Sequence, residues 1–271
     1  EDSIIPVNWS YGSATDEENG HVVHHDDLCV QGRPVWGLAG YNSWCRFLPD
    51  SPAGRANIDL WVRTGIETNT PALFASQWGD NGYENHRDFP WNMFAYLAEG
   101  AWSGEAARPA DFEARFQKSF YGVELPTLRE ILYDLPDQLS SGLSDYWRNF
   151  RRSAYWSVRW AQKNQDAIQR LSSDEQLLSS ALLKVDDCRA VARRNVEHLG
   201  HFTVALERML SVVRRQKVAV RYVGGLNLAE TVQSVQQIKK ELSDIREHYI
   251  ADWIRTNKPP NMEVSLEVYG E

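Results

Sequence analysis

Residues 74–88 read FASQWGDNGYENHRD, and this stretch changes character halfway along. Its first residues are apolar, as in a buried β-strand, whereas the rest combines glycines, carboxylates, amides and a histidine around one tryptophan. Loops that follow strands commonly carry functional side chains, because the strand holds them in place. The stretch therefore predicts a strand that ends in a candidate binding site at Trp78, Asp80 and Glu84.

The amino-acid composition argues against several kinds of partner and of site. The chain has 271 residues, 42% of them hydrophobic, and a formal net charge of -8, which gives no electrostatic reason to expect nucleic acid or an anionic membrane as a partner. Its three cysteines follow no pattern, which argues against a disulfide framework or a zinc ribbon. Eleven tryptophans and eleven tyrosines are many, and indole rings are favoured flat surfaces for ligands.

Three short apolar runs in the first part of the chain are typical of parallel strands covered on both faces: Ile4–Trp9, Pro34–Ala39 and Ala72–Trp78. Helical patterns follow two of them. Residues 55–66 present Ile58, Trp61, Val62 and Gly65 on one face, and the helix after Pro90 presents Trp91, Phe94, Ala95, Ala98 and Trp102. This alternation of strand and helix predicts an α/β fold.

Long helices are predicted for the second part of the chain. They cover Ser144–Leu171, a pattern from Asp174 to about Tyr222 with Ser173 as the N-cap, and Leu228–Thr256. Gly224 and Gly225 separate the last two. We divide the chain into residues 1–105, the α/β part, and residues 106–271, an α-helical region of long antiparallel helices.

Three parallel strands leave exposed sheet edges, which natural proteins avoid. A (β/α)₈ TIM barrel takes about 250 residues, so the first 105 residues supply only about three of its eight units. The fold class predicted is therefore α/β, the last strands (about strands 6–8) of a TIM barrel followed by a mostly helical region. We expect the chain to associate with a missing N-terminal barrel segment or with a second copy, and to be inactive alone.

The ends of the three strands carry the same mixture of side chains, tryptophans with short acceptors and amides. Such a mixture suits a neutral, hydroxyl-rich ligand, because sugar C–H faces stack on indole rings and carboxylates accept bonds from hydroxyls. Packing at the sheet rim and simple turn chemistry at Asp80 are the plainer interpretations. The predicted substrate-binding residues are Trp9, Tyr11, Trp36, Asn42, Trp44, Trp78, Asp80 and Glu84.

Two histidine clusters are candidate metal sites. His21, His24, His25, Asp26 and Asp27 follow no defined ligand geometry, and we predict a solvated loop. His198 and His201 lie three residues apart in a helix of mixed charge, where a packed or solvated helix face is predicted. Neither a metal nor a cofactor is expected.

Several motifs resemble glycoside hydrolase family 20, the β-N-acetylhexosaminidases. Gln77–Glu84 (QWGDNGYE) and the helix segment Ala95–Trp102 resemble the eighth strand and helix of that family's barrel. Ala39–Trp44 (AGYNSW) followed by Arg55–Ile58 resembles the seventh strand and its helix, Ile4–Gly12 resembles the sixth strand, and Trp253–Pro259 resembles the segment that closes the helical region.

This resemblance implies a retaining glycosidase that removes terminal N-acetylhexosamine from a glycan, with the sugar's own acetamido oxygen as nucleophile. Trp78 would form the floor of the sugar pocket, Asp80 would bind distal hydroxyls, and Trp9 and Trp44 would surround the acetamido group. The family's catalytic Asp-Glu pair has no counterpart here, because Asp16-Glu17 lies in a loop beyond the first strand, Asp174-Glu175 opens a long helix, and neither pair is at a strand end. No catalytic residue is therefore assigned. The alternatives are a non-catalytic carbohydrate-binding protein and a helical interaction protein.

Overall fold

The structure is a computed structural model that describes residues 4–12, 25–29, 32, 34–80, 85–104, 111–260 and 262–269. The first part contains β1 (Val7–Trp9), α1 (His25–Cys29), β2 (Trp36–Gly40), α2 (Ser51–Glu67), β3 (Leu73–Ser76) and α3 (Trp91–Ser103). The described strands form one sheet in the order β1-β2-β3, and both pairs are parallel. The prediction of a helix-rich α/β protein with parallel strands is confirmed.

Helices make up the second part. They are α4 (Phe112–Tyr121), α5 (Pro126–Arg129), a π-helical turn (Glu130–Asp134), α6 (Leu135–Gln138), α7 (Leu143–Phe150), α8 (Ala154–Lys163), α9 (Ile168–Val191), α10 (His198–Val223), α11 (Leu228–Thr256), α12 (Met262–Leu266) and a 3₁₀ turn (Glu267–Tyr269). The central helix is α10, which packs against α7, α8, α9 and α11. None of the helices within the described ranges is long and apolar enough to span a lipid bilayer.

The two faces of the sheet differ. Gly37 and Leu73 face α2, where a Cβ atom on Gly37 would lie only 2.5 Å from the Trp61 ring. Strand register and alternation place Val7, Trp9, Trp36, Leu38 and Phe74 on the other face, which we call the open face. Val7, Trp9 and Phe74 are exposed on it. Phe74, which was predicted to lie in a barrel core, is therefore on the surface of this chain.

Of the two helices that flank the sheet, α2 buries its predicted face and α3 does not. In α2 the predicted face of Ile58, Trp61, Val62 and Gly65 is buried, and the side chain of Asp50 caps the helix by accepting from the Ala53 N–H. In α3 the predicted face is wrong, because Trp91, Ala98 and Trp102 are exposed. The buried residues of α3 are Asn92, Met93, Tyr96, Leu97 and Gly100. Apolar residues lie along two stripes of this helix. The sequence pattern therefore does not determine which stripe is buried.

Two predicted long helices are interrupted. The first breaks between α7 and α8 at Arg151–Ser153, and again between α8 and α9. The second ends at Val191, because Asn195 takes a left-handed φ of 47° and the Arg193 and Arg194 N–H groups both donate to the Tyr121 carbonyl of α4. Helix α11 has the predicted bounds, with Asn227 as its N-cap.

Asp174 does not begin a helix, as the sequence pattern predicted, but lies inside α9. Its buried carboxylate accepts hydrogen bonds from the Ser140 N–H, the Ser140 hydroxyl and the Tyr146 hydroxyl. The carboxylate therefore ties the end of α6 and helix α7 to α9. The division of the chain at residue 105 remains a prediction, and one cluster of buried apolar side chains extends from the sheet region at Ala39 to α10 at Val220.

Candidate functional site

The carboxyl ends of the three strands bring four aromatic side chains together, Trp9, Tyr11, Trp44 and Trp78, which we call the aromatic cluster. Ring centroids are 6.0 Å apart for Trp9 and Tyr11, 6.2 Å for Trp9 and Trp78, and 4.9 Å for Tyr11 and Trp44. Trp9 is 59% exposed and Trp78 is 43% exposed. The cluster therefore presents two adjacent indole rings to solvent at one edge of the sheet.

Tyr11 fixes the geometry of this cluster. Its hydroxyl accepts a hydrogen bond of 2.7 Å from the Trp78 indole N–H and one of 3.3 Å from the Ser76 hydroxyl. Its ring lies against Gly40, where an added Cβ would be only 2.3 Å from the Tyr11 Cδ1 atom. A glycine is therefore required at the end of β2 for Tyr11 to reach the indole of Trp78.

The loop after β2 carries unusual backbone conformations beside the cluster. Asn42 has a φ of 34° and Cys45 a φ of 54°, both in the left-handed region that few non-glycine residues adopt. The Cys45 thiol lies 3.8 Å from the carboxylate of Asp80, which is exposed. Strained backbone of this kind is concentrated at functional sites. The loop thus places Trp44 against Tyr11 and the Cys45 thiol beside the carboxylate of Asp80, which follows β3 two residues after Trp78.

Two predicted site residues in the described ranges, Trp36 and Asn42, do not join the aromatic cluster. Trp36 begins β2, so it lies at the opposite end of the strand from Trp44, with its ring 5.1 Å from that of Phe74. Its assignment to the strand end is wrong, although it shares the open face with Trp9. Asn42 shapes the loop by accepting a backbone hydrogen bond from Asp50. Glu84 lies outside the described residues. No observation tests the substrate-binding role of any of the eight residues, which remains a prediction.

The amides of Gln77 and Asn85, which flank the site along the chain, make hydrogen bonds within the structure. The Asn85 amide donates to the Ser43 carbonyl at 2.7 Å, and the Gln77 amide donates to the His86 carbonyl at 3.1 Å. These bonds hold the segment after β3 against the loop after β2. Part of the unusual composition of the 74–88 stretch is thus explained by hydrogen bonds within the chain and not by ligand binding.

His86 turns away from the aromatic cluster into a buried group with His201 and Asp252, which we call the histidine joint. The two imidazole rings stack at 4.2 Å between centroids. The His201 Nδ1–H donates to Asp252 Oδ2 at 2.6 Å, and Arg255 donates to Asp252 Oδ1 at 2.5 Å. His86 Nε2 lies 3.1 Å from Oδ2 without the alignment of a hydrogen bond. The joint connects the segment after β3 to α10 and α11.

Burial sets the charge states in and around this joint. It lowers the pKa of His86 well below 6.5, the neighbouring His201 lowers it further, and Asp252 only partly opposes this. Burial also lowers the pKa of His198 to about 3. His198 Nε2 lies 2.8 Å from the Asp88 carbonyl and must donate to it, so Nδ1 accepts from the Tyr121 hydroxyl. Both histidines are neutral in the folded protein at physiological pH.

His86, His201 and Asp252 are also the one set of three ligand-type residues in the described ranges whose ligand atoms lie within 4.8 Å of one another. Two ligands on one tetrahedral zinc ion, each about 2.0–2.1 Å from it, are about 3.3 Å apart. The separation of 2.6 Å between His201 Nδ1 and Asp252 Oδ2 is that of a hydrogen bond. We therefore interpret the joint as a hydrogen-bonded structural element and not as a metal centre.

The histidines of the two sequence clusters that the structure describes, His25, His198 and His201, are packed in the interior. His25 is fully buried in α1, where its Nδ1 accepts from the Asn8 amide and its Nε2 donates to the Thr70 hydroxyl. The predicted solvated loop is therefore wrong at His25, whereas His21, His24 and the side chain of Asp26 lie outside the described set. Of the two predicted environments for His198 and His201, the packed one is confirmed.

Comparisons with known proteins do not identify a family for this chain. No protein-family model and no curated protein matches the chain. Among solved structures, a GH138 enzyme targeting pectin rhamnogalacturonan II matches with a TM-score of 0.45 and 12% identity. The match covers 91% of this chain, and the chain spans 44% of the length of that protein. A likeness this distant defines neither the family nor the activity of the chain.

The resemblance to glycoside hydrolase family 20 is therefore wrong. No family model supports it, and the described sheet has three strands in a chain dominated by helices. The motifs that carried it are short, and in this structure several of their residues have local structural roles, such as the turn at Asn42 and the Trp253 indole that donates to the Lys258 carbonyl. The substrate-assisted mechanism, and the acetamido and distal-hydroxyl roles derived from that family, are withdrawn with it.

Proposed function

We propose that the aromatic cluster is a carbohydrate-binding face and that the protein is carbohydrate-active. The observation that supports this most is the pair of solvent-facing indoles, Trp9 and Trp78, beside the exposed carboxylate of Asp80. Adjacent aromatic faces fit the C–H surfaces of sugar rings, and a carboxylate accepts hydrogen bonds from hydroxyls. Because the charge contributed by Asp80 is negative, the face favours a neutral sugar over a phosphorylated one.

The cluster is already arranged for binding. The hydrogen bond from Trp78 to Tyr11 fixes the orientation of one indole, and the contact of Tyr11 with Gly40 fixes Tyr11 in turn. A site whose side chains are held before the ligand arrives loses less conformational entropy on binding. The rigid arrangement thus favours a recognition role over incidental exposure of apolar rings.

We propose that this chain binds the sugar and does not itself supply the catalytic acid. Most glycosidases use two carboxyl groups about 5–9.5 Å apart, and the described strand ends place Asp80 alone beside the aromatic cluster. We propose that any catalytic acid comes from strands that cover the open face, contributed by a further barrel segment or by a second copy of the chain. The exposure of Val7 and Phe74 on that face supports this proposal.

The test is binding of neutral oligosaccharides, built from N-acetylhexosamine, hexose or deoxyhexose units, measured by saturation-transfer NMR. We expect at least one to bind, and Trp9→Ala and Trp78→Ala to abolish the signal. Trp102→Ala is the matched control, since this tryptophan is 92% exposed at the end of α3, outside the aromatic cluster. The proposal would be refuted if binding survived Trp78→Ala, or if no sugar bound at millimolar concentration.

A helical interaction protein remains the second candidate because of one observation. Leu228, Val232 and Val235 are exposed at helical spacing on α11 and form an apolar stripe. Such a stripe is unusual on a soluble surface and often marks a contact site.

A further inference from the structure

A cavity of about 360 Å³ lies between α8, the second half of α10 and the first half of α11, far along the chain from the aromatic cluster. Its wall is mostly apolar and includes Val158, Ala219, Val235, Ile238, Leu242 and Val268. The volume falls within the range of about 300–1,000 Å³ that is typical of small-molecule sites. The cavity is therefore large enough for an apolar ligand of modest size.

The charged residues around this cavity all have one sign. Arg151, Arg152, Arg215 and Lys239 line it, whereas none of its described lining residues is an Asp or a Glu. The three arginines lie together, because the Arg215 guanidinium donates to the carbonyls of Asn149 and Arg152 in the turn between α7 and α8. The cavity thus has an apolar body and a basic end at that turn.

Arg215 differs from its neighbours on α10. Arg214 pairs with Glu175 and Glu241, each at 3.0 Å, and Lys217 pairs with Glu175 at 2.5 Å. Arg215 has no carboxylate within 4.0 Å in the part of the chain that the structure describes, and its Nε is buried without a hydrogen bond there. Burial lowers the pKa of Arg215 to about 10. A partly buried cation that lacks an acidic partner is costly, so a bound anion would stabilise it.

The exposed side chains that line the cavity include three large apolar or aromatic ones beside the polar Arg151, Ser153 and Lys239. Tyr222, Leu228 and Val235 line it and are all exposed, Leu228 to 72%. Exposed apolar side chains next to a concave apolar wall favour a ligand whose apolar body reaches toward the surface. The combination of this wall with the basic end indicates a ligand that is apolar along most of its length and anionic at one end.

We propose that this cavity binds an amphipathic monoanion of the class of medium-chain fatty acids. The acyl chain lies between α8, α10 and α11 against Val158, Ala219 and Ile238, and the carboxylate lies at the α7–α8 turn near Arg215. The same carboxylate supplies the negative charge that the described surroundings of Arg215 lack. This site is independent of the sugar-binding face.

Three probes with the same ten-carbon chain test the proposal by calorimetry below their micelle concentrations: decanoate, decanol and decyltrimethylammonium. We expect decanoate to bind at least about 10-fold more tightly than decanol, as one charge-assisted contact predicts, and the cation to bind least. Equal affinities for decanoate and decanol would overturn the anionic assignment and leave a plain apolar contact surface. Absence of decanoate binding would overturn the site.

Paired variants locate the binding. Arg215→Gln removes the charge but keeps a polar side chain, and is expected to reduce decanoate affinity to that of decanol. Arg214→Gln is the control, because the charge of Arg214 is already paired with Glu175 and Glu241. Ala219→Leu, which fills the cavity, is expected to weaken both decanoate and decanol, with helical circular dichroism reporting that the fold is intact. Decanoate binding that is unchanged in Arg215→Gln and Ala219→Leu would place it elsewhere and refute the proposal.

Discussion

His86 stacks on His201 with their ring planes 16° apart, and these two residues belong to opposite halves of the chain. Two hydrogen bonds near His86 reinforce this contact. The Asp88 carbonyl accepts from His198, and Arg87 donates to the Thr256 carbonyl. The segment that follows the candidate site is thus fastened to α10 and α11. The geometry at the ends of the strands therefore depends on helices that are distant in sequence.

We predict that the protein loses stability as the pH falls below 6.5. His86 and His198 are neutral in the folded state because burial lowers each pKa, whereas in the unfolded chain both protonate near pH 6.5. The unfolded state then binds more protons, and stability is lost between pH 6.5 and the folded pKa, about 3 for His198. At pH 4.5 the loss from one such histidine is on the order of 3 kcal/mol, because each of the two pH units below 6.5 costs about 1.4 kcal/mol.

Urea unfolding between pH 4.5 and 7.5 measures this dependence. His198→Gln should flatten the curve, whereas His248→Gln should not, because His248 is exposed beside Glu207. A stability that stays constant down to pH 4.5 would contradict the buried neutral histidines.

Asp252→Asn is expected to destabilise the protein by about 1–3 kcal/mol, the usual cost of leaving buried polar groups with poorer hydrogen-bond partners. Asp252 is the acceptor for both His201 and Arg255, and its pKa is held below the ordinary value because these groups and His86 outweigh the effect of burial. The matched control is Asp186→Asn, which breaks an exposed pair with Arg189 at 4.0 Å and should cost less than about 0.5 kcal/mol. Equal unfolding free energies for the two variants would show that the histidine joint contributes nothing.

Gly40→Ala should displace Tyr11 and thereby release the indole of Trp78. The added methyl group would overlap the Tyr11 ring, and overpacking of this kind costs about 1–3 kcal/mol. We expect a lower Tm and a change in tryptophan fluorescence. Gly142→Ala is the control, since a Cβ there meets only the Asp145 carboxylate at 3.8 Å. If both variants melt and fluoresce alike, Gly40 does not position Tyr11.

Asp80→Ala should weaken sugar binding without loss of stability. Asp80 is exposed, so its removal leaves no buried group unpaired, but a charge-assisted bond to a sugar hydroxyl is worth roughly 1.5–3 kcal/mol, or about 10- to 150-fold in Kd. If Asp80 only shapes the turn, the opposite pattern follows, with a lower Tm and unchanged binding. Calorimetry of Asp80→Ala and Asp80→Asn with the best oligosaccharide separates the two roles.

The sheet could be predicted from sequence because its determinants are local. Each strand is a short apolar run that ends in glycine or polar residues, and the three runs are adjacent parallel strands with Trp9, Trp44 and Trp78 at one edge. Helix α11 was likewise predictable, since Asn227 and the preceding glycines mark its start. The break at Asn195 was not, because it depends on contacts with the Tyr121 carbonyl of α4.

The histidine joint could not be predicted for a related reason. Its members are His86, His201 and Asp252, and the spacing of His198 and His201 within one helix was the only local signal. Which face of α10 is buried, and that Asp252 lies opposite, are decided by how α10 and α11 pack together. The family resemblance was wrong because turn-forming motifs such as Trp-Gly-Asp recur wherever a strand end needs them.

The long sequence separation within the histidine joint also sets an order of events during synthesis. Asp252 follows His86 by 166 residues, which corresponds to about 8 to 33 s of translation at roughly 5–20 residues per second. During that interval the segment carrying Trp78 and Asp80 has been made but its anchor has not. On the ribosome the segment after β3 is therefore among the last places to mature, and a nascent chain halted before residue 252 should leave His86 accessible to solvent, whereas it is only 3% exposed in the finished protein.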